Sequence, residues 1–340
     1  MPAVLRLRAP GLLGPLPDRL PPGVLPPLPA LETWLARGRR AAASNLPEAV
    51  PEGPLALLGD GGRPDERWWS RAAPVFLQVE GAGVRLQPAA LDPGDEEALA
   101  RDLDPLFTGR DVAVERRGPG RWYLASHRPA PERPSPSRLL GRFVDPYTPR
   151  YRAAVAWDAL LGELEMALHD HPVNRRREAR GQDPVNAFWV WGCGQLPAEP
   201  PDLTPWERLY TDAPAWLGLA RWAGVEAAPM PASGVRPDGP HAGAVLVVDH
   251  EPRDALAAAD GARWLQAVER LEREIAAPAL EALRSGTGSG AGRWDALELD
   301  TGGEAAVVRL TRRSLRRFWR RRRRMERWLL VAEGGRGPLH

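Results

Sequence analysis

The spacing of apolar and polar residues changes along the chain, and each change predicts a different element. Residues 3–8 (AVLRLR) alternate in polarity and predict a first strand. Residues 28–40 and 260–284 place apolar side chains at helical spacing, and residues 205–223 also predict a helix. The apolar run of residues 244–250 (AVLVVDH) is typical of a buried parallel strand. Together these segments predict an α/β protein in which helices flank a sheet.

The middle of the chain has a different pattern, which predicts a small α+β subdomain. Two pairs of strand-like runs, residues 76–88 and 112–127, each turn at a glycine and lie on either side of an amphipathic helix. A linker rich in proline, serine and arginine follows. The predicted division is an inserted subdomain with its linker over residues 73–138, and a discontinuous core over residues 1–72 and 139–335.

The stretch 171–194 (HPVNRRREARGQDPVNAFWVWGCG) joins a polar turn, an Arg-rich helical segment and an apolar strand that ends in Gly-x-Gly. The amide of Asn174 and the guanidinium of Arg177 are groups that bind phosphate or carboxylate. With His171 and Asn186 they form a candidate anion-binding set. The alternative is structural: Asn174 caps the helix and Arg177 pairs with a neighbouring carboxylate.

The composition narrows the class of protein. Of the 340 residues, 43% are hydrophobic and 26% charged, as in ordinary globular proteins. All 46 basic residues are arginine, which excludes mechanisms that need a Schiff-base or P-loop lysine. The single cysteine, Cys193, excludes an intrachain disulfide. Because neither a signal peptide nor a transmembrane segment is recognisable, we expect a cytoplasmic protein.

The C-terminal region concentrates positive charge. Residues 312–327 contain ten arginines with aromatic residues between them, and we expect a helix over residues 315–330. Such a helix suits an adaptor that binds nucleic acid or an anionic membrane surface. The alternative is a helix that docks through its aromatic side chains and leaves its arginines in solvent. The net charge of only +2 gives no strong evidence for nucleic acid, and the residues do not specify an oligomeric state.

A family resemblance rests on the stretch 171–194. Its pattern His-Pro-Val-Asn-x-x-Arg-x-x-x-Gly-x-x-Pro, followed by the strand Asn-Ala-Phe-Trp-Val-Trp-Gly-Cys-Gly, resembles the archaeal-type cofactor-independent phosphoglycerate mutases of the alkaline phosphatase superfamily. More specifically, the chain looks like a divergent bacterial group of uncharacterised phosphoglycerate-mutase-like proteins. The resemblance implies an alkaline-phosphatase-like core sheet flanked by helices, with an inserted α+β subdomain. Residues 75–127 look like that subdomain, and residues 141–149 look like the return into the core.

The chain departs from this family where active members carry their chemistry. Residues 8–11 read Arg-Ala-Pro-Gly, where the resemblance implies a strand ending in a metal-binding Asp-Gly. Residues 50–59 run almost directly from a Val-Pro-x-Gly turn into Leu-Leu-Gly, so the segment for a nucleophilic serine is missing. Asp254 lacks the histidine of an Asp-Glu-x-x-His motif, and Asp300 lacks the histidine of an Asp-His pair. Two-metal phosphoryl transfer needs several such ligands and an in-line nucleophile.

The leading hypothesis is therefore a diverged phosphoglycerate-mutase-like protein. It lacks metal-dependent mutase chemistry, retains at most an anion-binding pocket for a phosphorylated small molecule, and needs no cofactor. A second hypothesis is an active 2,3-bisphosphoglycerate-independent phosphoglycerate mutase or a phosphatase with non-standard catalytic groups. Its candidates are His250, Asp254 and Asp300, and it would require manganese or zinc. The third is the basic adaptor.

Overall fold

The computed structural model of this chain describes residues 2–14, 24–41, 46, 50–81, 83–89, 91–139, 143–144, 155–231, 235, 243–258, 260–285, 294–302 and 307–333. The chain divides into two compact units. The first, here called the core unit, contains Met1–Ala49 and Pro200–His340, and the second unit contains Val50–Glu199.

The elements alternate along the chain. In chain order the strands are β1 (Val4–Arg8), β2 (Arg39–Arg40), β3 (Trp68–Glu80), β4 (Gly83–Pro88), β5 (Val112–Arg116), β6 (Trp122–Ser126), β7 (Ala187–Gly194), β8 (Trp206–Tyr210), β9 (Glu226–Ala228), β10 (Ala244–Val248), β11 (Ala296–Asp300) and β12 (Val308–Thr311). The helices are α1 (Pro29–Arg37), α2 (Glu52–Gly59), α3 (Pro93–Phe107), α4 (Val155–His169), α5 (Pro172–Ala179), α6 (Pro214–Trp222), α7 (Glu251–Ala257), α8 (Gly261–Leu271), α9 (Ala277–Arg284), α10 (Arg312–Leu315) and α11 (Met325–Glu333).

The core unit is built on a seven-stranded mixed sheet in the order β2-β12-β11-β1-β10-β8-β9. The first strand lies in the middle, where β10 and β11 run parallel to it on either side and β8 runs parallel to β10. Every residue of β10 and β11 is buried, as expected for parallel strands covered on both faces. The predicted α/β class, a sheet flanked by helices, is confirmed. Because β8, β10, β1 and β11 are parallel, their carboxyl ends lie at the same edge of the sheet.

The long helix predicted over residues 260–284 forms α8 and α9, joined by a π turn over Glu272–Ala276. Pro278, in the first turn of α9, lacks the N–H that would continue the regular helical ladder, which accounts for the irregular turn. The apolar face of this segment, including Trp264 and Ile275, packs with Trp34 of α1 in the main hydrophobic core.

Two buried glutamates tie the N-termini of helices to this core. Glu272 accepts hydrogen bonds from the backbone N–H groups of Ala30 and Leu31, at 2.7 and 2.9 Å, at the start of α1. Glu32 accepts one from Met325 N at 3.1 Å, at the start of α11. Each carboxylate therefore satisfies N–H groups that a helix leaves unpaired at its N-terminus.

The second unit contains a five-stranded antiparallel sheet with β3 at its centre. Residues 68–72 of β3 pair with β6, residues 75–80 pair with β4, and the other edge of β3 pairs with β7. The predicted strands and intervening helix are found as β3 to β6 and α3. The boundary drawn at residue 73 from the sequence falls inside β3, and the compact unit extends well beyond residue 138 because β7 belongs to this sheet.

The predicted C-terminal helix over residues 315–330 is wrong. The structure has α10 over Arg312–Leu315, an irregular segment over residues 316–324, and α11 over Met325–Glu333. The second helix starts where Glu32 accepts the N–H of Met325, a contact that local spacing does not encode. Nothing helical in the described part of the chain is both long and apolar enough to traverse a bilayer.

Candidate functional site at the carboxyl edge of the core sheet

The carboxyl ends of β8 and β10 open into a cavity of about 590 Å3. This edge of a parallel sheet is where open α/β proteins bind their ligands. The loop after β8, the loop after β10, α7 and α8 each contribute to the wall. Its charged and hydroxyl residues are Thr211, Asp212, Asp249, His250, Glu251, Asp254, Arg263, Glu269, Arg270 and Arg273.

Asp249, the residue that follows β10, anchors one side of the cavity. Its Oδ1 accepts the backbone N–H of Glu251 at 2.9 Å, and its Oδ2 accepts a hydrogen bond from Arg270 Nη2 at 2.5 Å. The side chain is only 7% exposed. Burial raises the pKa of Asp249 above the usual range of a carboxyl, and the Arg270 guanidinium opposes that shift. Asp249 is therefore held as half of a buried ion pair.

A second ion pair in the cavity wall joins α7 to α8. Arg263 donates from Nε and Nη2 to the two carboxylate oxygens of Glu251, at 2.5 and 2.9 Å. Such two-point contacts fix both side chains in one geometry. The hydrogen bonds from Arg263 to Glu251 are also the main cause of the raised pKa of Arg263. The carboxylate of Glu251 is thus already occupied.

His250 and Asp254 line the same cavity, so the structure brings two of the three proposed catalytic residues together. They are four residues apart on the first turn of α7, where the N–H of Asp254 donates to the carbonyl of His250 at 3.0 Å. Asp254 lies 3.3 Å from Arg253 Nε. The imidazole of His250 meets Trp216 edge-on, with the ring centres 5.8 Å apart.

Asp300 is held elsewhere along the edge, at the end of β11, and is not part of the cavity wall. Its Oδ2 accepts a hydrogen bond from Arg8 Nη1 at 2.9 Å, and its Oδ1 accepts the N–H of Gly302 at 2.9 Å. The side chains of Arg8 and Asp300 are 5% and 3% exposed. The two residues are register partners in adjacent strands, so the pair is built into the sheet.

Trp216 connects the two parts of this edge. The Arg8 guanidinium lies 5.8 Å from the centre of the Trp216 ring, whose other neighbour is the His250 ring. The indole therefore lies next to both the Arg8–Asp300 pair and the cavity wall. Its side chain is almost fully buried, at 2% exposure.

The predicted anion-binding residues lie in the second unit and bond mainly to backbone. Asn174 donates to the carbonyls of Leu168 and Val185, both at 2.7 Å, and accepts the N–H of Val185 at 2.8 Å. Arg177 Nε donates to the carbonyl of Asp183 at 2.8 Å. These contacts fasten the end of α4 and the loop after α5 to the start of β7. The observed roles are structural but differ from the expected ones, because His171 rather than Asn174 caps α5 and the Asp183 group that Arg177 bonds is a carbonyl. Anion binding by these side chains stays a prediction.

His171 and Asn186 also support the local fold. His171 caps α5, with its Nδ1 accepting the N–H of Val173 at 3.2 Å, and its Nε2 lies 3.3 Å from Asp102. Burial lowers the pKa of His171, which favours the neutral imidazole. Asn186 bonds both the N–H and the carbonyl of Leu77, at 2.7 and 2.9 Å, and thereby extends the pairing of β7 with β3.

The Gly-x-Gly at the end of β7 has a packing explanation. Gly192 has φ +65°, which favours glycine, and a Cβ there would lie 2.8 Å from the Cβ of Glu52. A Cβ on Gly194 would lie 2.7 Å from the Cβ of Pro51. The two glycines therefore let the start of α2 pack against β7.

Comparison with known proteins gives the ancestry of the chain. No family model matches. The chain is 24% identical over 300 residues to the 2,3-bisphosphoglycerate-independent phosphoglycerate mutase of Methanosarcina mazei, covering 74% of each chain. It is also 24% identical over 236 residues to the enzyme of that name from Methanosarcina acetivorans, covering 60% of this chain and 58% of that relative. The chain is a divergent relative of the cofactor-independent phosphoglycerate mutases.

A solved structure of similar description is also matched. The cofactor-independent phosphoglycerate mutase from Thermoplasma acidophilum aligns over 92% of this chain and 90% of its own, with a TM-score of 0.38 and 20% identity.

The relationship to phosphoglycerate mutases implies a metal centre. The residues at the carboxyl edge of this chain's core sheet do not fit one. Arg8 places a fixed positive charge 2.9 Å from Asp300, so a divalent cation there would be repelled by the guanidinium and would lose a ligand. Asp249 and Glu251 are likewise bonded to arginines. Within the described ranges, no group of three or more His, Cys, Asp or Glu side chains is arranged to hold a metal ion.

Several residues of this phosphoglycerate-mutase relative were missed by sequence reasoning. Asp249 follows the apolar run of β10 directly, a position that commonly carries ligand-binding groups in parallel sheets. Arg263 and Arg270 are seven residues apart and so share one face of α8. Both signals were present in the sequence, but only the structure pairs these arginines with Glu251 and Asp249.

Proposed function

We propose that this divergent relative lacks metal-dependent mutase chemistry and binds a phosphorylated small molecule in the cavity between β8, β10 and α8. The buried Arg8–Asp300 pair is the observation that supports the loss of metal-dependent mutase chemistry. The guanidinium supplies the positive charge that a buried aspartate requires, and it does so without a Lewis acid that polarises a phosphoryl oxygen. The pair therefore leaves no metal site at this part of the sheet edge.

The proposal that the cavity binds a phosphorylated molecule rests on the arginines of its wall. Arg270 uses one terminal nitrogen on Asp249, and among the described residues it makes no other hydrogen bond that we find. Its side chain is 29% exposed, so its remaining N–H donors are accessible to a ligand. Arg273, in the following turn, also lines the cavity. Guanidinium groups bind phosphate well because their N–H donors match its oxygens.

The carboxylates of the cavity limit which phosphorylated molecules fit. Asp212, Asp254 and Glu269 line the wall together with the two paired carboxylates, Asp249 and Glu251. These groups repel a second anionic group on a ligand but accept hydrogen bonds from hydroxyls. A ligand with one phosphate and neighbouring hydroxyl groups therefore suits the cavity better than a phosphorylated carboxylic acid such as phosphoglycerate.

A coupled assay for interconversion of 3- and 2-phosphoglycerate tests the loss of mutase activity. We expect no turnover above the rate without protein, with magnesium, manganese, cobalt or zinc added in turn, because the ligand set for a metal is not assembled. The Methanosarcina mazei enzyme is the positive control. Metal-dependent turnover that is abolished by Asp254→Ala would contradict the proposal.

The same cavity gives one specific observation in favour of the second hypothesis. His250 and Asp254 both line it, so a phosphatase or mutase with non-standard groups would use these two rather than Asp300. Hydrolysis of p-nitrophenyl phosphate that is lost in both His250→Gln and Asp254→Asn would support this function in place of the proposed one.

Ligand binding is tested by titration calorimetry with glycerol 3-phosphate, 3-phosphoglycerate and glycerol. We expect the affinity for glycerol 3-phosphate to exceed that for the other two ligands, and to fall about tenfold or more in Arg270→Lys, which keeps the charge but loses the planar donors. Arg63→Lys, at an exposed position of the second unit, is the matched control. Equal affinities for all three ligands, or equal effects of both substitutions, would contradict binding at this wall.

A further inference from the structure

The irregular segment Arg316–Arg324 forms an unusual surface of the core unit. Its sequence RRFWRRRRR contains seven arginines, Phe318 and Trp319, and no acidic residue occurs between residues 305 and 325. The whole chain carries a net charge of only +2, so this concentration of positive charge is local. A local charge of this density attracts a polyanion even where the overall field of the protein is weak.

The two aromatic side chains of this segment face solvent. Phe318 is 79% exposed and Trp319 is 66% exposed. Their rings lie 5.3 Å apart and meet nearly perpendicularly, at 83°. The docking of aromatic residues that the sequence suggested is instead made by Trp328, which is buried in the core with its neighbours in α11. The segment therefore presents two adjacent aromatic rings to solvent within a run of arginines.

Several arginines of the segment fasten it to the core unit. Arg317 and Arg320 donate to the carbonyls of Arg37 and Gly38 at the end of α1, at 3.4 and 3.3 Å. Arg324 donates to the carbonyl of Leu25, and Arg322 lies 3.2 Å from Glu32. The backbone that carries the aromatic rings is therefore held in place, which lowers the entropy lost on binding.

Other arginines of the segment are available to a partner. Arg316, Arg321 and Arg323 are exposed, and within the described residues no acidic side chain pairs with them. Arg39 and Arg40, the exposed residues of β2, follow Gly38 directly and add to the same basic region. Guanidinium groups without acidic partners bind phosphate diesters strongly because each presents several N–H donors.

We infer that the Arg316–Arg324 segment binds single-stranded nucleic acid with little sequence preference. Its free arginines contact backbone phosphates, and the rings of Phe318 and Trp319 stack on bases, the combination that single-strand binding surfaces use. An anionic membrane is disfavoured because interfacial binding uses a helix with a broad apolar face, whereas this segment is not helical and has only two apolar residues. The inference does not depend on the proposed small-molecule site.

Fluorescence anisotropy with a labelled oligouridine and a labelled oligothymidine of about 20 nucleotides tests this binding at several salt concentrations. We expect both to bind the full chain, with affinity that falls steeply as sodium chloride rises from about 50 to 300 mM. Phe318→Ala with Trp319→Ala should weaken binding by about tenfold or more and leave the salt slope unchanged. Both side chains are exposed, so this variant should fold normally.

A pair of charge variants separates phosphate contacts from general charge. Arg321→Gln with Arg323→Gln should reduce the salt slope by about 1.4, the value for two lost contacts to a single strand. Arg63→Gln with Arg128→Gln removes the same charge from exposed positions of the second unit and should leave binding nearly unchanged.

Three outcomes would overturn the inference. One is the absence of oligonucleotide binding at low salt, and another is an equal loss in the two charge variants. The third is flotation with phosphatidylserine vesicles that is lost in the aromatic variant while oligonucleotides do not bind, which would assign the segment to a membrane surface.

Discussion

Individual residues at the carboxyl edge of the core sheet form arginine–carboxylate pairs. Arg8 bonds Asp300, Arg270 bonds Asp249, and Arg263 bonds Glu251. A buried pair of this kind adds little net stability compared with apolar residues, but losing one partner leaves a charge buried without compensation. The pairs therefore restrict which substitutions the edge tolerates.

The Arg8–Asp300 pair gives a stability prediction. Arg8→Met should lower the free energy of unfolding by about 3 to 5 kcal/mol, because Asp300 is left charged in a site that excludes water. Arg8→Met with Asp300→Asn should recover part of this loss, since no charge then remains. Urea unfolding of the three proteins measures the coupling. If the double variant is as unstable as the sum of the single variants, the pair does not act as described.

His171 gives a prediction for the pH dependence of stability. Its pKa is lowered by burial, so between the folded and the unfolded pKa the unfolded chain binds more protons than the folded one. Stability should therefore be fully present above the ordinary histidine pKa and fall as pH decreases from about 7.5 to 5.5. His171→Asn should reduce this part of the pH dependence in urea unfolding. His127→Gln, at an exposed histidine of the same unit, should leave it unchanged.

Among the elements, helix N-termini are held by side chains from distant parts of the chain. Glu272, within the π turn, bonds two N–H groups at the start of α1, and Glu32 of α1 bonds the first residue of α11. The π turn thus places a carboxylate at a helix end that has no side-chain cap of its own. The same series of contacts ends the irregular Arg316–Arg324 segment at Met325.

Removal of this capping should cost measurable stability. Glu272→Ala should lower the free energy of unfolding by about 2 kcal/mol or more, because two buried N–H groups lose a charged acceptor. Glu274→Ala, two residues further along the same turn, removes only a contact with the exposed Arg273 and should change stability by less than about 0.5 kcal/mol. Thermal or urea unfolding distinguishes the two variants, and equal losses would show that capping is not the cause.

The molecule as a whole consists of a discontinuous core unit and a second unit that is continuous in sequence. The second unit has its own five-stranded sheet and its own hydrophobic clusters, whose members lie between residues 72 and 191. A unit that buries its core with its own residues is expected to fold alone.

Fragments of the chain test this division. A fragment of residues 50–199 should fold cooperatively, with dispersed amide signals in an NMR spectrum and a sigmoidal urea transition. A fragment of residues 73–138, the boundaries expected from the sequence, should remain unfolded because it cuts β3 and lacks β7. A folded short fragment, or an unfolded long one, would contradict the division at residues 50 and 199.

The spacing of apolar residues was sufficient to predict elements in which that spacing matches the buried face of the strand or helix. The alternation in residues 3–8 and the apolar run before Asp249 identified β1 and β10, and the helical spacing after residue 260 identified α8 and α9. Of the helix predicted over residues 205–223, only α6 is helical. The first part of that range forms β8, which pairs with β10. Pairing with a strand about 40 residues away overrode the local preference of Trp206–Tyr210.

The sequence by itself determined the α/β class, the ββαββ order in the middle of the chain, and the resemblance of residues 171–194 to the cofactor-independent phosphoglycerate mutases. It also contained the absence of a carboxylate from residues 8–11. Only the tertiary structure decided which polar groups bond to each other. Arg8 bonds Asp300, 292 residues away in the sequence, and Glu32 accepts the backbone N–H of Met325, 293 residues away. The tertiary structure also decided that the side chains of Asn174 and Asn186 form hydrogen bonds with backbone groups. The physical reason is that periodicity reports the environment of neighbouring positions, whereas strand register and helix packing select partners from distant parts of the chain.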